Sequence, residues 1–333
     1  MRKVKKMWHF VRILQLVFFV ITLTPGLAQV SQNYDIVIYG GNSSGVAAAI
    51  QASRMGKKVV LLEPTNRIGG LTTGGLGQTD IGNKQAIGGI SREFYQNVKK
   101  YYQNQANWKF QKKENYKDGG QTKSDINEDA MWTFEPSAAL KILKGMIAEE
   151  RNITLEYGQR LDRVNGVKKS KGKIVSIKME SGNVYKGKMY IDASYEGDLM
   201  ASAGVRYSIG RESNDEYQES LNGVQNNETS LTIKKRKSNN GVYHNFQYGV
   251  DPYVEKGKPE SGLLPFIEAS YPPSDGTGDK KIQAYCFRMC LTDFEDNRIP
   301  FEKPSLYNEL DYELLFRNYE AGESAVPWIN SSM

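Results

Sequence analysis

An α/β fold built on a parallel sheet is what this sequence predicts, and three features carry the prediction. A β-branched apolar run, Tyr34-Asp35-Ile36-Val37-Ile38-Tyr39, leads straight into the turn Gly40-Gly41-Asn42-Ser43-Ser44-Gly45. Small, helix-forming residues follow from Val46 to Ala52 and end near Gly56. A second apolar run, Lys58-Val59-Val60-Leu61-Leu62, then closes on Glu63. Strand, glycine turn, helix, strand and terminal acid together make the first βαβ unit of a Rossmann-like dinucleotide-binding fold.

Each part has a physical task. Gly40 supplies the backbone angles of a tight turn. Gly45 allows the helix to pack on the strand. The amides of Ser43, Ser44, Gly45 and Val46 lie at the positive end of the helix, where a pyrophosphate is favoured. Glu63 stands 18 residues beyond Gly45, the spacing at which an acid accepts hydrogen bonds from ribose hydroxyls. Asn42 departs from the glycine pattern. Asparagine tolerates positive φ, so the expectation is a preserved turn with the Asn42 side chain near the phosphate.

Two later segments repeat the theme. Arg67 to Gly77 holds five glycines in eleven residues, including Gly69 and Gly70, with Thr72 and Thr73 between them. Such a run lets backbone amides and hydroxyls approach a large flat ligand, and Leu71 and Leu76 imply that it is packed. Met189 to Asp192 reads as a strand, followed by Ala193-Ser194-Tyr195-Glu196-Gly197-Asp198. Asp198 is expected to cap a helix over 199–203 and to reach a ribose or polyol hydroxyl. These segments favour FAD over a nicotinamide nucleotide, which the first βαβ unit alone does not distinguish.

Between them the chain predicts an amphipathic helix from Ser91 to about Gln103, a polar surface insertion over 104–130, and a helix opening at Pro136. Leu140, Leu143 and Ile147 form its apolar stripe. Ile153 to Tyr157 is the next strand. Val175, Ile177 and Met179 alternate with polar residues as a β-meander returning to the Ile191 strand. Residues from Asn214 to about Gly278 are polar, and the basic knot Lys234-Lys235-Arg236-Lys237 is offset by nearby acids.

Composition narrows the chemistry. The 333 residues carry 44 Lys+Arg and 38 Asp+Glu, a charge of +6, yet the first 28 residues hold five bases and no acid. The remainder is close to neutral and offers no broad field for nucleic acid or anionic membrane. Of the two histidines, His9 sits in the leader and leaves only His244, too few for a histidine metal site. Cys286 and Cys290 are too few for a disulfide scaffold or a four-cysteine cluster. Basic residues 2–6, the apolar run Ile13 to Leu23, Pro25 and Gly26-Leu27-Ala28 form a secretory signal cut before Gln29. That run is shorter than a membrane span, so no stable span is expected after cleavage.

The chain resembles the FAD-dependent oxidoreductase family of exported bacterial proteins, some of them labelled xanthan lyases. The motifs that carry the likeness are Tyr39 to Ala49, Gly69 to Leu76, Gly88 to Tyr95, Phe134-Glu135-Pro136, Ile191 to Leu199 and Gly210-Arg211-Glu212-Ser213. The resemblance implies a glutathione-reductase type of FAD-binding fold with a β-meander and an inserted, incomplete substrate domain. FAD-binding residues would span 29–212 and a substrate or cap region 213–333. It places adenine near Leu161 and flavin-binding groups at Ala193 and Asp198. Arg211, Glu212, Tyr285 and Arg288 become candidates for substrate contact. Relatives continue past a stretch like Asn330-Ser331-Ser332-Met333, so the chain resembles the N-terminal portion of the family. The expected function is hydride transfer between a small organic substrate and bound FAD, with electrons passed to a further acceptor. A nicotinamide-dependent dehydrogenase and a non-catalytic nucleotide-binding remnant are the alternatives.

Overall fold

The structure is a computed structural model that describes residues 33–77, 82–116, 128–225, 246–247, 249–282 and 291–322. The signal segment 1–28, residues 117–127 of the 104–130 insertion, the basic knot, His244, both cysteines, Tyr285, Arg288 and the last residues lie outside the described residues. Among the described residues, no helix is long and apolar enough to cross a membrane. Two compact units divide the chain. Residues up to Gly70 with Leu143–Val205 form the first, and Leu71–Ile142 with residues from Arg206 the second.

The first unit is a six-stranded sheet. Its strands are β1 (Asn33–Tyr39), β2 (Val59–Glu63), β3 (Ile153–Tyr157), β4 (Val167–Ser170), β5 (Lys173–Lys178) and β6 (Val184–Asp192). They lie in the order β3-β2-β1-β6-β5-β4. β1 pairs parallel with β2 on one side and with β6 on the other, and β2 pairs parallel with β3. Every residue of β2 is buried, as the unbroken Val-Val-Leu-Leu run requires of a strand covered on both faces. Helix α1 (Ser43–Arg54) packs on β1 and β2 through Val46, Ala49 and Ile50. Val37, Tyr39, Val60 and Leu62 form a core with Leu161, Ile177, Met179, Tyr185 and Leu199.

The meander pairs antiparallel, β4 with β5 and β5 with the start of β6. Its alternation fails at Val175, which is exposed although Ile177 and Met179 are buried. The register passes from Lys168↔Ser176 to Lys169↔Ile174, so Val175 is the extra residue of a bulge. A bulge residue has no partner, and the strand bends around it.

In the second unit, helix α2 (Gly89–Gln103) buries Phe94, Val98 and Tyr102. Phe94 meets Phe134 edge-on at 5.3 Å, and Tyr95 lies 4.4 Å from Trp132. Arg92 holds Glu128 at 2.6 Å and lies 5.3 Å from the Trp132 ring centre. Helix α3 (Pro136–Ala148) opens at the proline, as the sequence predicts, and crosses the division between the units at Ile142/Leu143. Leu143 and Ile147 of its expected stripe are buried, together with Ala138, Ala139, Ile142 and Met146, while Leu140 is half-buried. Near the end of the described chain, Arg317 on the helix Leu310–Glu320 is buried. It donates to the carbonyls of Asp251 (3.0 Å) and Val254 (3.0 Å) and to Glu313 (2.6 Å).

Ile38 has no exposed surface and sits mid-strand between β2 and β6. Ile38→Ala is expected to lower stability in urea unfolding by about 2–5 kcal/mol through lost burial and a cavity. Met189→Ala, on the exposed side of the neighbouring strand, should change it by no more than about 0.5 kcal/mol.

Candidate functional site

The carboxyl ends of three parallel strands converge in the first unit. Tyr39 ends β1 level with Leu62 of β2 and Asp192 of β6. Beyond this edge the chain leaves β1 toward α1 and β2, while β6 arrives on the other side. Such a switch in strand order opens a crevice where ligands of open α/β sheets bind.

Gly40 turns the chain here with φ +104, as its position predicts. A Cβ on Gly40 would lie 2.7 Å from the Ala193 carbonyl carbon, and one on Gly41 would lie 2.6 Å from Glu63 Oε2. A Cβ on Gly45 would collide with the Gly40 carbonyl oxygen. These glycines are thus required by the chain's own close approaches. Glu63 is buried at the end of β2. Its Oε2 accepts from Gly41 N at 2.8 Å and its Oε1 from Thr65 N at 2.7 Å. Each carboxylate oxygen retains a second lone pair for a hydroxyl donor.

Asn42 differs from expectation. Its φ is −71 and ψ −175, an extended conformation, so tolerance of positive φ is not what it contributes. Its side chain caps α1: Oδ1 accepts from the amides of Ser44 and Gly45, both at 3.1 Å, and from Ser44 Oγ at 2.7 Å. Its Nδ2 donates to the Ala193 carbonyl. The amides of Ser44 and Gly45 therefore already have an acceptor. An Asn ahead of Ser-Ser-Gly at a helix start is an N-cap signature, and that signal in the sequence could have revealed this role.

The other predicted groups fall as follows. Gly69 N donates to Gly41 O at 2.7 Å, and Ser43 Oγ donates to Gly69 O at 3.0 Å. Gly70, at φ +53, lies against Asn42 and the Tyr195 hydroxyl. Leu161 is fully buried in the core, and its amide donates to the Tyr39 hydroxyl at 3.2 Å. Burial pushes the Tyr39 phenol upward, which keeps that hydroxyl neutral. Asp198 is not the cap. Gly197, left-handed at φ +70, precedes the helix and Asp198 is its first residue. Ser194 and Asp192 shape this loop instead: Asp192 Oδ1 accepts from Ser194 N (2.9 Å), Oδ2 accepts from Met200 N (2.7 Å), and Ser194 Oγ accepts from Asp198 N (3.1 Å). The structure thus brings residues 40–45, 63, 69–70 and 193–198 together within one unit.

Thr72 belongs to the second unit, in a single helical turn, Leu71–Gly74. There Thr73 is buried, Leu71 is exposed and Leu76 is half-buried, so the packing expected of the two leucines fails at Leu71. Arg211 is engaged by Asp279 through a two-pronged side-chain contact and by main-chain bonds in both directions. Glu212 is half-buried beside it. Among the described residues, no group of three or more His, Cys, Asp or Glu could hold a metal ion.

A buried acid closing β2 and the positive end of α1 share one sheet edge with backbone drawn close by glycines. That edge fits the ribose and diphosphate of an adenine dinucleotide. The sequence matches the family described as FAD dependent oxidoreductase over residues 35–332. The chain belongs to the FAD-dependent oxidoreductase family. FAD is accordingly its cofactor, and the six-stranded unit is its Rossmann-like portion. No curated protein matches the chain. Among solved structures it is similar to the L-proline dehydrogenase from P. horikoshii, at 15% identity over 55% of this chain and 59% of that one, TM-score 0.34. It is also similar to a geranylgeranyl bacteriochlorophyll reductase-like protein from Thermoplasma acidophilum, at 20% identity over 53% and 43%, TM-score 0.36. A third is the T. acidophilum thioredoxin reductase, at 18% identity over 49% and 35%, TM-score 0.27. In all three the chain covers less than two thirds of the other protein.

The Arg211 pair has a pH signature. The hydrogen bond from Arg211 holds the Asp279 carboxyl below its ordinary value of 3.8. A carboxyl depressed in the folded state stabilises above the unfolded value, and that contribution disappears as pH falls through the folded value. Asp279→Asn should therefore flatten the fall in thermal midpoint between about pH 5 and about pH 2, scanned by calorimetry.

Proposed function

We propose that the chain is an exported flavoenzyme that moves a hydride between a small organic substrate and its bound FAD. The observation that carries this reading is the buried Glu63 carboxylate set beside the start of α1 at the common end of three parallel strands. When bound, FAD supplies the two-electron chemistry, and the protein supplies binding, orientation and electrostatics. In this reading the Glu63 oxygens accept the ribose hydroxyls. The Gly40 to Gly45 turn and the positive end of α1 face the diphosphate, with the Ser44 and Gly45 amides held by Asn42. Gly69, Gly70 and the Ala193 to Asp198 loop bound the same crevice, whereas the fully buried Leu161 side chain packs in the core and does not reach the adenine.

The glycine run and the family resemblance assign Thr72 to the flavin, and the resemblance offers Arg211, Glu212, Tyr285 and Arg288 for the substrate. The Asp279 pair makes Arg211 a holder of the local backbone, which leaves Glu212, Tyr285 and Arg288 as the substrate candidates that the resemblance supplies. A near-neutral mature chain and the secretory leader support a small-molecule substrate outside the cytoplasm, with no nucleic-acid partner.

Purified mature protein should show flavin absorbance, and denaturation should release FAD identifiable by chromatography. Anaerobic mixing with alcohols, amino acids and sugars should bleach the flavin for the true substrate class. A colourless protein that takes up no FAD would overturn the proposal. Glu63→Ala should weaken FAD retention by about 1.5–3 kcal/mol, the worth of hydrogen bonds to a charged group, in a variant shown to be folded by circular dichroism. Unchanged retention would remove Glu63 from the site. The secreted protein should begin at Gln29 by intact mass, and a retained leader would argue against export.

A further inference from the structure

We propose that Asn42 is a positioning residue for the FAD diphosphate, whose amide clamps the glycine turn to the Ala193 loop and does so better than the glycine of the usual motif. The inference rests on the FAD reading of the same crevice.

The Asn42 side chain is nearly fully buried, and both ends of its amide are used. Three donors converge on Oδ1, two of them the Ser44 and Gly45 amides at the start of α1. The other end, Nδ2, reaches the Ala193 carbonyl 151 residues away. Ala193 is itself tied to β1, because its amide donates to Tyr39 O at 2.8 Å. On the third side, Asn42 forms a parallel bridge with Gly69. The side chain therefore sets the spacing between the glycine turn and the Ala193 loop, while the Asn42 backbone pairs with Gly69.

Chemistry singles out asparagine for this place. Aspartate could cap the helix, but its second oxygen would face the Ala193 carbonyl, acceptor against acceptor. Its charge would also oppose an incoming diphosphate and offset the positive end of α1. Serine caps a helix well, but a single hydroxyl is too short to bond the helix start and the Ala193 carbonyl together. Glycine does neither. A neutral amide caps, spans the gap and leaves the helix end attractive to an anion. Fixing the turn and the Ala193 loop before FAD arrives removes the ordering cost that binding would otherwise carry.

Asn42→Gly and Asn42→Ser separate the clamp from the cap. FAD affinity would be measured on flavin-stripped full-length protein by fluorescence quenching, well below each variant's thermal midpoint, with ADP and adenosine as competitors. The clamp predicts that both variants lose about tenfold or more in FAD affinity, equivalent to about 1.4 kcal/mol. ADP should weaken in parallel while adenosine, which lacks the diphosphate, should not. The serine variant keeps the cap, so wild-type FAD affinity in Asn42→Ser would reduce Asn42 to a structural cap and overturn the proposal. Tighter or equal binding in Asn42→Gly would also overturn it, by showing that the amide competes with the diphosphate. Failure of the wild-type chain to bind FAD would remove the FAD reading itself, a distinct result from a variant that binds as wild type does.

Discussion

The close approach of Gly40 to the Ala193–Ser194 peptide is the constraint on which the rest of the first unit depends. β1 and β6 run side by side in register to their last residues, Tyr39 and Asp192. The chain leaving β1 must turn away at once, and the room left beside the Ala193 carbonyl carbon admits no side chain. A residue with a Cβ would both clash there and resist the φ of +104. From that turn follow the direction of α1, the contact of Gly45 with Gly40, and the seat of Gly41 against the Glu63 carboxylate. Sheet packing and crevice geometry thus have a common cause.

How much of this was legible in the sequence follows the range of each interaction. The βαβ unit was legible because it is local: strand, turn, helix and strand lie within residues 33–63 and match the observed bounds closely. The acid at position 63 was legible for the same reason. The Val175 bulge was not, since alternation within one strand says nothing of where its partner slips register. Asp198 has a residue type suited to capping, yet the cap position falls to Gly197. Asp192 and Ser194 already bind that loop's amides, and their geometry decides where the helix starts.

Asn42 shows the same limit from the other side. Its departure from glycine was visible, and conformational tolerance was the expected reason. The structure supplies a different one, a hydrogen-bonding amide whose second partner is 151 residues away. In the second unit the comparable arrangement is Arg92, which gathers Glu128 and Trp132 from a distant part of the sequence. Arg317 does likewise with the carbonyls of Asp251 and Val254. Long polar side chains that hold remote backbone leave no periodic trace, so their roles emerge only once the fold is known.

Glu63 joins these two scales. A carboxylate taken out of water is costly unless hydrogen bonds replace its hydration. Here the replacements are amides of the turn and of the residues just after β2, Gly41 and Thr65. The acid therefore braces the glycine turn whether or not a cofactor is present, and its orientation is set beforehand by groups that do not depend on one. In the proposed reading, a ribose diol arriving at the sheet edge meets oxygens already aimed and partly coordinated, with lone pairs left over. The same two amides that make burial of the charge tolerable make it a rigid acceptor, and rigidity limits the ordering cost of binding. In that reading, one set of hydrogen bonds at this residue serves both structural support and cofactor recognition.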